Sequence, residues 1–221
     1  MKYFLVLLLV ITATATGCHH SIGHGVVGSG VRQVQKREVA PFTSVSTEGA
    51  FDITIACQKP QSIQVEADDN VLPLVSTEVS NGVLYVKSLR GYSTRNNVEL
   101  RIEVPNIEGL NLEGAGTIEI SGIKNDKFGI DSSGAPTINA SGETKALEID
   151  ANGAGKIDTH RLRAAHVSVD SKGVSTVEVY AGEQLDATVS GPSQVTYRGD
   201  PVVNKTIHGP GSIEKKESGP V

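Results

Sequence analysis

The chain has 221 residues, a formal charge of −5 and only 4% aromatic residues; it has no basic domain and few aromatics for stacking, which argues against nucleic-acid binding. Hydrophobic residues make up 38%, with no Trp and one Met, so any core must be built from Val, Ile, Leu, Ala and Thr, residues that suit narrow β-layers.

Met1 to Gly17 carries one charged side chain, Lys2, then an apolar run from Phe4 to Ile11, then small residues leading to Cys18. An apolar run this short reads as a signal peptide over residues 1–17. Small residues before a Cys resemble the lipobox of bacterial lipoproteins, although Ala15 stands where that motif usually has Leu. The expectation is that Cys18 is lipidated and that the exported chain is anchored through this lipid in the bacterial cell envelope, at the outer membrane. Ordinary cleavage with Cys18 as a bystander is the alternative. Removing Lys2 leaves 19 basic against 25 acidic side chains, a charge of −6.

Residues 18–37 have the composition of a flexible tether. His19, His20 and His24 lie there without acidic or Cys company, which argues against a metal site. Lipidation of Cys18 leaves Cys57 with no disulfide partner. Cys57 shares the parity of Phe51, Ile53 and Ile55, which predicts an inert thiol facing the core.

From Glu38 to Val104 short runs alternate between apolar and polar residues, for example Phe51 to Cys57, Ser62 to Glu66, Val83 to Val86 and Val98 to Val104. Period two between turn residues such as Lys59-Pro60 and Asn81-Gly82 predicts strands. Gly49-Ala50-Phe51-Asp52-Ile53 already matches the pattern that follows, with Asp68 to Ser80 and Lys87 to Asn97 as longer departures from it.

That pattern passes six times, starting at Gly114, Gly134, Gly153, Gly173, Gly191 and Gly209, in steps of 20, 19, 20, 18 and 18 residues. A near-constant period marks a repeat architecture. Four residues after each Gly stand Ile118, Ile138, Ile157, Val177, Val195 and Ile213; four before stand Leu110, Ile130, Ile149, Val169 and Ala187; six before stand Phe128, Leu147, Val167, Leu185 and Val203. One unit of about 18–20 residues cannot bury such columns alone, but units stacked about 4.8 Å apart can. The reading is an all-β fold, a parallel β-helix over residues 38–217, with a tail at 218–221. A Greek-key sandwich competes, but its strands need not hold one phase against a repeated Gly.

These residues resemble a known family, the bacterial auto-transporter adhesin head domains named for a Gly-Ile-Asn motif. The resemblance runs from Phe42 and Gly49-Ala50 through Ile63 to Asp68 and Gly82 to Val86 into the repeats, and approximates the motif at Thr137-Ile138-Asn139. It implies a right-handed parallel β-helix, often on an exported lipoprotein, with cell-surface adhesion as the proposed role and no established catalytic residues.

Stacking would turn each outward position into a line of side chains. Three residues before the Gly, Asp131, Asp150 and Asp170 fall in one line, where a hard cation such as Ca²⁺ would relieve their repulsion; a solvated face is the simpler alternative, and no other cofactor is expected. Five after it stand Glu119, Asn139, Asp158, Glu178, Thr196 and Glu214, and paired carboxylates could serve a glycosidase. Seven after it stand Ser121, Ser141, His160, Tyr180, Arg198 and Lys216, with Arg161, Arg163 and His166 in the longer connection beside them. His160, Tyr180, Arg198, Arg161 and Arg163 form a candidate strip that could contact an anionic glycan or lipid head group, or serve as the cationic site of a polysaccharide lyase; the partner expected is a glycan or an envelope protein. The leading expectation is a non-enzymatic lipoprotein that presents a polar face for adhesion or envelope binding. The alternative is a carbohydrate-active enzyme, a polysaccharide lyase or glycosidase, on the same scaffold.

Overall fold

The computed structural model describes residues 25–216. The leader, Cys18, His19, His20, His24 and the tail lie outside the described residues. The all-β expectation is met: the described residues form β1 (Val26–Val27), β2 (Arg32–Arg37), β3 (Ser44–Ala56), β4 (Ser62–Asp68), β5 (Val75–Ser80), β6 (Val83–Ser88), β7 (Tyr92–Ser93), β8 (Val98–Glu103), β9 (Gly109–Ala151), β10 (Lys156–Lys172), β11 (Thr176–Ser190), β12 (Gln194–Arg198), β13 (Val202–His208) and β14 (Ser212–Lys215). No α-helix occurs among them.

The repeat dictates the pairing from β9 onward. Ile157 of β10 lies beside Ile138 of β9 and Val177 of β11, Val177 beside Val195 of β12, and Val195 beside Ile213 of β14, all in parallel. The other run of each pass stacks the same way, with Leu147, Val167, Leu185 and Val203 as successive neighbours. The result is a large, mostly parallel sheet. All three apolar columns turn inward and are buried, apart from Val203, which is partly buried near the end of the stack. Burying one such side chain, Ile138 for instance, stabilises the fold by about 1.5–3 kcal/mol relative to exposing it.

The repeated Gly follows from the stacking distance. Ala154 donates its backbone N–H to the Gly134 carbonyl at 2.7 Å, and Val174 donates to the Gly153 carbonyl at 2.9 Å. With successive corners hydrogen-bonded, a Cβ on Gly153 would lie 2.0 Å from the Gly134 oxygen, and one on Gly134 2.1 Å from the Gly114 oxygen. No side chain fits between backbones that close.

The early strands do not add one behind another in chain order. β3 pairs on one side with β9, Gly49 opposite Gly114, and on the other with both β6 and β8, Val45 opposite Leu84 and Ile53 opposite Leu100. Beyond them the direction reverses: β4 runs antiparallel to β8, β2 to β4, and β5 to β6. Residues 75–80 thus lie at the outer edge of the sheet, where antiparallel pairing ends the parallel stack.

Part of the stretch read as a tether is structured. Arg32 to Arg37 form β2, whose middle residues are exposed and whose ends are fixed by ion pairs from Arg32 to Glu66 and Glu99 and by hydrogen bonds from Arg37 to the Leu72 and Val75 carbonyls. A polar edge strand has no buried face and so lacks the alternation that marks a strand in sequence. Cys57 is buried as expected, and burial pushes its thiol pKa up to about 11.

Candidate functional site

Outward side chains at register positions form lines, and the first acidic line lies where the spacing placed it. Asp170 pairs in register with Asp150, and Asp150 feels the charges of both Asp131 and Asp170. Partial burial, then those two carboxylates, push the Asp150 pKa above its ordinary value. Lys172 donates to Asp170 at 2.7 Å, partly neutralising the line. Because β6 stacks outside β3, Tyr85 and Asn111 both flank Ser46. Tyr85, Asn111, Asp131, Glu148 and Asp150 consequently line one groove of about 480 Å³. Tyr85 was not among the residues singled out from sequence, and no repeat signal pointed to it, since its strand reaches this position out of chain order.

The third line keeps its phase only in part. Thr159 pairs with Val179 of β11, but the next pair is Arg163 with Tyr180. His160, Arg161 and Leu162 are therefore extra relative to β11; Leu162 is buried and the chain bulges. The residue beside Tyr180 is Arg163, not His160 as equal spacing from the Gly implied. The Arg163 guanidinium lies over the Tyr180 ring, 5.0 Å from its centre. On the other side of Tyr180 the expected neighbour, Arg198, is in register. Arg161 is exposed and pairs with Ser141 of β9. Four of the five strip residues thus stay with the strip, and His160 leaves it.

His160 turns instead to the second acidic line. Its Nδ1 meets Asp158 Oδ1, and its backbone N–H donates to the same oxygen at 3.2 Å. Burial alone would raise the Asp158 pKa, yet these bonds from His160, with its charge and that of Lys156, hold the carboxyl below its ordinary value. Asp158 is register partner to Asn139 on one side and Glu178 on the other. Lys216 reaches both Glu178 oxygens, at 2.9 and 3.1 Å.

Residues 41–201 match a family model described as "Putative auto-transporter adhesin, head GIN domain". The chain belongs to this family. The head GIN domain takes in β3 through β12, and with them Asp131, Asp150 and Asp170, the Asp158, His160 and Glu178 group, and the Arg163, Tyr180 and Arg198 strip; Lys216 follows it. Among solved structures, a putative adhesin from Bacteroides fragilis NCTC 9343 is similar with a TM-score of 0.70 and 22% identity, over 87% of this chain and 100% of its own. A putative adhesin from Parabacteroides merdae ATCC 43184 has a TM-score of 0.53 and 17% identity, over 87% of this chain and 99% of its own. At those identities the likeness speaks to the head GIN fold. No curated protein matches the chain.

Proposed function

We propose that this protein is a non-enzymatic binding module of the bacterial cell envelope, exported, lipidated at Cys18 and held at the outer membrane. Its passes wind as a right-handed parallel β-helix of about 18–20 residues per coil, a rigid post whose outward face binds an anionic glycan or an acidic envelope protein. The observation that carries this reading is the ladder of Arg163, Tyr180 and Arg198 on three successive passes, with Arg161 beside it. A cation stacked on an aromatic ring offers an acidic sugar both a charge partner and a flat apolar surface. Membership of a family described as adhesins supports the same role.

The carbohydrate-active enzyme has less behind it. Hydrolysis by two carboxyls needs one kept protonated beside an ionised partner, whereas Asp158 is held ionised by His160 and the neighbouring Glu178 carries Lys216.

A glycan array probed with wild type and an Arg163→Ala/Arg198→Ala variant tests the binding face. Binding confined to uronate- or sulfate-bearing glycans and lost in the variant is expected; equal binding by both proteins would sink the reading. The same array with and without Ca²⁺, run beside an Asp131→Asn/Asp150→Asn/Asp170→Asn variant, tests whether those carboxylates take that ion. For the anchor, Cys18→Ser should move the protein out of the membrane fraction.

A further inference from the structure

Asp158, His160 and Glu178 each present a ligand atom, and these atoms all lie within 4.8 Å of one another. We propose that they form a binding site for a divalent transition cation, of which Zn²⁺ is the representative.

The backbone explains why the three meet. Asp158 and Glu178 are register partners on adjacent passes, so their outward side chains are neighbours along the stack. The extra residues after Thr159 let His160 turn back onto Asp158 instead of continuing the basic line. A bulge that re-aims one side chain in this way is a recurrent device beside functional sites.

The donor set selects the class of ion. One imidazole nitrogen with two carboxylates suits Zn²⁺ and its first-row neighbours, while Ca²⁺ takes six to eight oxygens and gains little from a nitrogen. The side chains are partly shielded, Asp158 and Glu178 being 17% exposed and His160 28%. Next along the column Thr196 pairs with Glu178, and its hydroxyl oxygen is shut away from solvent with no hydrogen-bond partner, an uncommitted oxygen beside the cluster. Three protein ligands leave a four-coordinate ion one position for water or an acidic ligand.

Two groups compete with the metal. His160 Nδ1 already holds the Asp158 carboxylate, and a metal bound between them must break that contact. The Lys216 ammonium, on both Glu178 oxygens, already supplies a positive charge there and must be displaced. The ion would tie the His160 bulge to the following pass.

The test is calorimetric titration of Zn²⁺, with Ca²⁺ as control, into the full-length protein and its His160→Ala and Lys216→Met variants. His19, His20 and His24 remain in all three, so any ion they take cancels in the comparison. The expected result is one Zn²⁺ per chain that disappears with His160→Ala, is not displaced by Ca²⁺, and binds roughly two- to five-fold tighter with Lys216→Met, the scale of one partly exposed ion pair. A gain of affinity cannot arise from misfolding. Co²⁺ should report the same site through visible absorption that is lost in His160→Ala. Identical Zn²⁺ isotherms for wild type and His160→Ala, or unchanged or weaker binding with Lys216→Met, overturn the proposal.

Discussion

The guanidinium carbon of Arg163 lies 5.0 Å from the centre of the Tyr180 ring, although the two residues stand at different distances from the glycines of their own passes. The bulge after Thr159 brings them level. A double-mutant cycle of Arg163→Ala and Tyr180→Ala, followed by urea unfolding, should give a coupling of about 0.5–1 kcal/mol, the range for a cation over an aromatic ring at an exposed site. Coupling indistinguishable from zero would mean that the pair does not persist in solution.

Gly153→Ala should destabilise the fold by about 2–4 kcal/mol, because the new methyl meets the Gly134 carbonyl oxygen at 2.0 Å, backbone that is itself hydrogen-bonded. Gly209→Ala provides the contrast. Its φ of 108° strains any L residue at about 1–3 kcal/mol, but its nearest neighbouring atom is 3.5 Å away. The denaturation midpoint should fall further for Gly153→Ala than for Gly209→Ala; the reverse order would contradict the close-packed corner.

Ser193 is buried, accepts the Ser175 backbone N–H at 3.2 Å and donates to the Gly173 carbonyl at 3.1 Å. Ser193→Ala should cost about 1–3 kcal/mol, since both backbone groups lose that partner in a place shielded from water. A change under about 0.5 kcal/mol in the unfolding free energy would show that the hydroxyl is dispensable.

The raised pKa of Asp150 fixes the sign of a pH effect. The folded state holds the proton more tightly than the unfolded chain, so stability is lost as pH rises from the ordinary value near 3.8 through the folded-state pKa, and the deficit persists above it. Asp150→Asn should therefore be more stable than wild type at pH 7, by a few tenths of a kcal/mol after solvent screening, with the gap closing towards pH 4. Thermal melts at both pH values check this; a variant less stable at pH 7 would mean that the charge is favourable where it stands.

Much of the candidate site was legible because register and period are the same information in a stacked fold. Counting from the glycines puts Asp150 level with Asp170, Asp158 with Glu178 and Tyr180 with Arg198, and the registers agree; Asp131 is close enough for its charge to act on Asp150. His160 was misassigned because counting assumes passes of equal path length, and the bulge at 160–162 breaks that assumption. Tyr85 was missed for a different reason: β6 joins the stack outside a strand that precedes it in the chain.

By itself the sequence determined the all-β class, the inward columns and the corner glycines, since a period of 18–20 residues and an alternation of two act over short distances and leave one way to bury the apolar side chains. Only the tertiary structure decided the order of the early strands, the edge strand hidden in polar residues 32–37, and the partners of His160. Those depend on which backbone edges are free to hydrogen-bond and on how a bulge is absorbed by the passes around it, and both are settled by long-range packing.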